Sequence, residues 1–174
     1  MKNKRDTKWI LIITILAFII SFIFSLISEL VIPNAHIAIS IFLVFIFIFL
    51  GIIFDIIGVA ISTTEQKSFH SMATKRVKGS KTAIKLTNNR DKVSSFCNDV
   101  IGDICGVISG SCGLSIAIKL SSLLNVNLLI VTLIITSIIS SLTIGGKALG
   151  KKTAIENSNK IVYEFAKIIS PFTK

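Results

Sequence analysis

Residues 37–62 read IAISIFLVFIFIFLGIIFDIIGVAIS, and Asp55 is the only ionisable side chain among them. About 20 apolar residues in a helix are enough to cross the hydrocarbon core of a bilayer. This stretch therefore predicts a membrane-spanning helix rather than part of a soluble core. Two glycines, Gly51 and Gly58, flank the aspartate and favour close approach of another backbone at that point.

Three further apolar segments extend the same pattern over the rest of the chain. They lie at residues 9–32, 93–120 and 125–144, the last closed by Gly145 and Gly146. With 52% hydrophobic residues and 16% charged residues, the chain is too apolar for an ordinary soluble domain. We therefore predict an all-α, polytopic membrane helical bundle with about four transmembrane helices.

The remaining segments are basic and amphipathic. Residues 64–92 predict two short helices split near Gly79, and residues 151–170 predict one more, all lying at the membrane surface. Because these segments and the N-terminal arm carry almost all of the 19 Lys and Arg residues, both termini are expected in the cytoplasm. His36 and Lys119 would then lie outside an inner or plasma membrane. No nucleic-acid recognition motif accompanies the net charge of +10.

Cysteine usage indicates neither a metal centre nor a disulfide framework. Cys97, Cys105 and Cys112 all fall in the third span, and their spacing matches no zinc or redox motif. We interpret them as small helix-packing residues. The sequence also has no His/Cys cluster, nucleophile–base pair or protease motif, so it does not predict an enzyme.

The third span carries two more carboxylates, in the sequence FCNDVIGDICG at residues 96–106. An ionised side chain at the centre of a bilayer costs roughly 2.5–3.5 kcal/mol, so it persists only where it faces protein, water or a cation. On an α-helix Asp99 and Asp103 lie one turn apart. Beside them runs a stripe of one amide and three glycines, namely Asn98, Gly102, Gly106 and Gly110.

These polar residues predict a cation site between the second and third spans. Its ligands would be Asp55, Asn98, Asp99 and Asp103, together with backbone carbonyls. Hard oxygen donors favour magnesium, calcium, manganese or sodium over zinc or copper. The glycines that would allow the two spans to approach and open are Gly51, Gly58, Gly102, Gly106 and Gly110. An alternative stays open, in which one or more acids, Asp99 above all, lie near the cytoplasmic headgroups.

The order of these segments resembles the transmembrane domain of the CNNM/CorB/CorC magnesium transporters, over about residues 40–172. The sequence KALGKK at residues 147–152, followed by residues 161–172, is similar to the family's PK-x-x-G-K turn and belt helix. Gly102-Asp103 resembles the family's IGN segment, with aspartate in place of asparagine. Phe54-Asp55 with Gly58-Val59-Ala60 resembles its S-x-S-E-x-A segment.

The resemblance implies a homodimeric, inward-opening transporter with Mg²⁺ as its substrate and Na⁺ as the coupling ion in some members. It places Asp55 and Asp103 at ion-site positions. It also divides the single membrane domain, residues 1–174, into an extra N-terminal helix, 1–36, and a transporter-like core with belt helices, 37–174. We expect a stand-alone form without the family's CBS domains. A competing hypothesis is a non-transporting membrane scaffold or regulatory subunit that retains the fold.

Overall fold

The computed structural model describes residues 2–32 and 35–171, and every regular element within them is a helix. The all-α prediction is therefore confirmed. In chain order the helices are α1 (Lys2–Val31), α2 (Ile37–Thr63), α3 (Gln66–Thr74), α4 (Ser80–Asn88), α5 (Arg90–Ser95), a π-helix (Phe96–Gly102), α6 (Asp103–Leu124), α7 (Leu128–Glu156) and α8 (Ser158–Ile169).

Four helical stretches are long and apolar enough to cross a membrane, in agreement with the predicted number. They are Thr7–Ser28, Ile37–Thr63, Arg90–Leu124 and Leu128–Glu156. The third, 35 residues long, combines α5, the π-helix and α6. Its 35 residues exceed the roughly 20 that are needed to cross a hydrocarbon core of about 30 Å.

The prediction that Gly145 and Gly146 end the fourth span is wrong. Helix α7 continues through both glycines to Glu156, and the chain breaks only at Asn157, before α8. The physical reason is close packing against α2. A Cβ atom at Gly146 would come within 2.2 Å of the Ile52 side chain. Gly146 therefore lies inside a helix, where the absence of a side chain lets α2 approach, whereas Gly145 has no such neighbour within 4 Å in the described chain.

The third span is not the continuous α-helix that the sequence predicted. Its residues Phe96–Gly102 form a π-helix, in which backbone hydrogen bonds run from i to i+5. The wider turn changes which side chains share a face, so the regular i, i+4 stripe through Asn98 does not hold within this stretch. π-Helical turns inside α-helices frequently occur at functional sites.

Two compact units make up the chain, and each contains segments that are distant in sequence. The first unit comprises residues 1–51 and 102–145. Within it, α1 contacts α6, where the hydroxyl of Ser28 and the thiol of Cys112 lie 3.3 Å apart. The ammonium of Lys119 donates hydrogen bonds of 2.6 Å to the carbonyls of Ile32 and Ala35. Lys119 thereby binds two carbonyl groups in the connection that follows α1.

The same unit contains an apolar cavity of about 240 Å³ lined by α2, α6 and α7. Aliphatic and aromatic side chains, including Phe45, Ile48, Ile116 and Ile139, form its walls. Nearby, α6 approaches α7 closely, because a Cβ atom at Gly113 would come within 2.3 Å of the Ile139 side chain.

The second unit comprises residues 52–101 and 146–174. Its core joins the end of α2 to the short helices, since Phe69 of α3 and Val162 of α8 are 1% and 0% exposed. The two short helices predicted within residues 64–92 are confirmed as α3 and α4. At the end of α2, the Thr64 hydroxyl donates a 2.6 Å hydrogen bond to the side-chain oxygen of Asn159, which fixes the start of α8.

Candidate ion-binding site

The side-chain oxygen of Asn98 is the most informative polar atom of the predicted site. It is buried, and among the described residues it has no hydrogen-bond partner. Leaving such a group unsatisfied costs about 1–3 kcal/mol. The oxygen lies directly against α2, because a Cβ atom at Gly58 would come within 1.8 Å of it. The second unit therefore contains a polar acceptor aimed at a glycine of the neighbouring helix.

Asn98 and Asp99 are consecutive residues of the π-helix and differ in exposure. Asp99 comes directly after Asn98 and is exposed, whereas Cys97 and Val100 on either side are buried. The Ser95 hydroxyl donates a hydrogen bond to the Asp99 carboxylate. A serine four residues before an aspartate is the signal in the sequence for this contact, and the sequence prediction did not include Ser95.

Asp55 lies on α2 and is half-buried. It precedes Gly58 by three residues, and residues three apart are neighbours on a helix surface. Asp55 therefore shares a side of α2 with the glycine that meets Asn98. The structure thus places Asn98 against the side of α2 that carries Asp55.

Asp103 belongs to the first unit, where it is the first residue of α6. Its side chain is exposed, as is that of Val107 one turn later. Asp103 therefore belongs to a different unit from the other three predicted ligands, which all lie in the second unit.

The predicted glycine stripe behaves differently along its length. At Gly51 a Cβ atom would lie 3.1 Å from the Cβ of Cys105 and 3.3 Å from the carbonyl oxygen of Gly102. At Gly106 and Gly110 no such neighbour lies within 4 Å in the described parts of the chain. Close helix contact thus involves Gly51 and Gly102, and the packing role predicted for Gly106 and Gly110 has no counterpart among the described residues.

Helix lengths bear on how deep the acids lie in the membrane. Helix α6 has 22 residues, which at about 1.5 Å each is already enough to cross a hydrocarbon core of about 30 Å. Asp99 precedes this helix and is the tenth of the 35 residues of the apolar stretch Arg90–Leu124. If α6 alone crosses the hydrocarbon core, Asp99 lies near the headgroups and its charge costs less than the mid-bilayer value.

The described ranges 2–32 and 35–171 contain no group of three or more His, Cys, Asp or Glu side chains that could hold a metal ion. A site formed by Asn98, backbone oxygens and one or two carboxylates would contain fewer than three of these side chains. Magnesium commonly binds in that way, through one or two carboxylates and several retained waters. The three cysteines are buried and form no disulfide within the described residues, which is compatible with packing residues.

No family model, curated protein or solved structure matches this chain.

Proposed function

We propose that this chain is a multi-pass protein of the cell membrane that binds a divalent cation, magnesium first, and moves it across the bilayer. The cation would be bound in the second unit by Asn98 and Asp99 of the π-helix and by Asp55 of α2. The observation that carries the proposal is the buried oxygen of Asn98, which has no hydrogen-bond partner among the described residues. A cation would supply the interaction that this oxygen lacks.

The chemistry of the donors supports a hard cation. Amide and carboxylate oxygens suit magnesium, calcium and manganese, and magnesium tolerates a site with few protein ligands because it keeps several waters. The resemblance to the CNNM/CorB/CorC transporters supports magnesium as the substrate, sodium as a coupling ion and a homodimer as the working form.

Flux into proteoliposomes tests the proposal directly. The purified full chain is reconstituted in vesicles that enclose a magnesium-sensitive dye, and external Mg²⁺ is then added. We expect Asn98→Leu and Asp55→Asn each to lower the initial rate by about ten-fold or more, the effect usual for removal of a metal-binding group. The matched control is Ser109→Ala, which removes a buried hydroxyl that donates a hydrogen bond to the Gly106 carbonyl of its own helix.

Thermal unfolding in detergent separates binding from folding. Because Asn98→Leu removes an unsatisfied buried oxygen, we expect it to leave the metal-free protein at least as stable as the wild type. Mg²⁺ at about 100 times its dissociation constant would stabilise the wild type by about 2.7 kcal/mol and leave this variant unchanged. Equal magnesium flux and equal stabilisation in the wild type and the double variant Asp55→Asn/Asn98→Leu would overturn the proposal.

A second candidate function is a membrane scaffold or regulatory subunit that does not transport. The exposed apolar side chains near the C-terminal end of α7 favour it, since Leu149 is 78% and Ile155 is 53% exposed. In this case the isolated chain would show no flux, and a stable partner would be purified with it in mild detergent. Substitution of Leu149 by Ser would then release the partner.

A further inference from the structure

The connection between α3 and α4 carries the densest positive charge in the described chain. We name residues 75–81, with the sequence KRVKGSK, the basic loop. Its four basic side chains, Lys75, Arg76, Lys78 and Lys81, are all exposed. None of the four forms an ion pair with a carboxylate of the described residues. Residues 66–90 as a whole hold seven Lys and Arg and no Asp or Glu, so no neighbouring acid in this segment offsets the charge.

The backbone of the basic loop is well defined rather than extended. Helix α3 ends in a Schellman motif, in which the Val77 amide donates to the Met72 carbonyl at 3.1 Å and the Arg76 amide donates to the Ala73 carbonyl at 3.0 Å. This motif needs a left-handed residue, which is usually glycine. Here the residue is Arg76, with φ of 55°. A charged side chain thus occupies a position whose backbone conformation favours glycine.

A second left-handed residue holds the loop against α8. Gly79 has φ of 88°, and a Cβ atom there would lie 3.1 Å from the Cα of Lys167. The residue after Lys167 is Ile168, which is 68% exposed. An exposed aliphatic side chain therefore lies on the helix that supports the basic loop. Basic residues together with an exposed apolar side chain are typical of surfaces that bind the membrane interface. Binding to a nucleic-acid backbone depends mainly on the basic residues.

Connectivity also favours a lipid surface as the partner. Helix α3 begins three residues after the apolar helix α2 ends at Thr63, and α5, which begins at Arg90, leads into the third span. Helices α3 and α4 have nine residues each, about 14 Å, so the loop stays close to the ends of two spans. Anionic lipids attract juxtamembrane basic residues within about a Debye length of the surface.

We propose that the basic loop, with Ile168 as its apolar anchor, is a binding surface for the phosphate-bearing headgroups of anionic phospholipids. The surface is independent of the proposed ion site and of transport. Its role is to hold the α3–α4 pair on the inner surface of an anionic membrane.

Lipid binding by the full chain in a non-ionic detergent tests this proposal. The protein is titrated with phosphatidylglycerol, or with phosphatidylcholine as the neutral reference, and bound lipid is counted by native mass spectrometry. Each basic residue at an anionic surface raises the affinity for anionic lipid by about five-fold. The quadruple variant K75Q/R76Q/K78Q/K81Q would therefore bind phosphatidylglycerol several hundred-fold more weakly, and we expect a loss of at least about 50-fold. The matched control K67Q/K85Q/K151Q/K160Q removes the same number of exposed charges elsewhere and would lose less than about ten-fold.

A single substitution separates binding from folding. Arg76→Gly places the favoured residue in the left-handed position, so we expect an unchanged or raised unfolding temperature together with about five-fold weaker binding of phosphatidylglycerol. Arg76→Lys, which keeps the charge, would bind as the wild type does.

Three results would overturn the proposal. Equal losses in the two quadruple variants would mean that binding follows net charge alone. Retained binding of phosphatidylglycerol by the loop variant would mean that the loop does not contact lipid. Retained lipid binding with loss of binding to a labelled oligonucleotide would assign the loop to nucleic acid.

Discussion

Replacing Gly58 by alanine tests the contact between α2 and the π-helix more directly than any other single change. A Cβ atom at Gly58 would lie 1.8 Å from the Asn98 side-chain oxygen and 3.0 Å from the carbonyl oxygen of Ser94. Real Cβ contacts essentially never fall below 3.0 Å, so the Asn98 oxygen would have to retreat by about 1.2 Å, the difference between 3.0 and 1.8. The backbone oxygen of Ser94 leaves little further room.

The magnitude follows from two opposing terms. Overpacking a well-packed contact costs about 1–3 kcal/mol. Replacing glycine by alanine within a helix returns about 1 kcal/mol. At Gly110, where nothing lies within 4 Å in the described chain, only the favourable term applies. We therefore expect Gly58→Ala to be less stable than Gly110→Ala by about 2 kcal/mol, or about 4–8 °C in unfolding temperature for a chain of this size.

Thermal unfolding of the purified protein in detergent, followed by loss of the monodisperse peak in size-exclusion chromatography, measures this difference. The double variant Gly58→Ala/Asn98→Ala removes the two closest atoms and would recover about 1 kcal/mol, as expected of residues in contact. Equal unfolding temperatures for Gly58→Ala and Gly110→Ala, or the absence of rescue by Asn98→Ala, would refute the packing of Asn98 against Gly58.

Two further predictions concern the first unit and the orientation of the chain. Lys119→Met removes both hydrogen bonds to the carbonyls of Ile32 and Ala35. We expect it to lower the free energy of unfolding, measured by thermal unfolding, by about 1.5–3 kcal/mol. Lys160→Met on the exposed face of α8 is the control and is expected to change this free energy by no more than about 0.5 kcal/mol. Equal effects of the two would show that the Lys119 contacts do not stabilise the fold. The basic segments are predicted to be cytoplasmic. A membrane-impermeant maleimide is therefore expected to label His36→Cys in intact cells, and to label Ser71→Cys only after the cells are permeabilised. The native cysteines are buried and are expected to stay unlabelled. Labelling in the opposite order would reverse the topology.

Most of the helical architecture was predictable, because it depends on local properties of the chain. Long apolar runs and basic amphipathic stretches predict four spans and short surface helices without reference to any tertiary contact. The boundary at residues 145–146 was predicted wrongly for the same reason. Read locally, two glycines end a helix, whereas in the structure Gly146 lies in the middle of α7 and accommodates Ile52 of α2.

The candidate site was predictable in its residues but not in its geometry. Asp55, Asn98 and Asp99 stand out in the sequence as polar groups in apolar surroundings. The pattern does not show that Phe96–Gly102 is π-helical, that Ser95 binds the Asp99 carboxylate, or that the Asn98 oxygen is buried without a hydrogen-bond partner in the described chain. The burial of the Asn98 oxygen depends on the neighbouring helix, because it lies against the bare backbone at Gly58.

The sequence by itself thus determined the all-helical fold and the number of apolar helices, since the length and hydrophobicity of each segment decide them independently. It also singled out the polar residues of these apolar segments, because such residues are unfavourable in a membrane-spanning helix unless they have a structural or functional role. Only the tertiary structure decided which glycines are contacts and how the third apolar helix is wound, because both depend on atoms from segments far apart in the chain. Gly58 and Gly110 look alike in sequence, and only the first has another helix against it among the described residues.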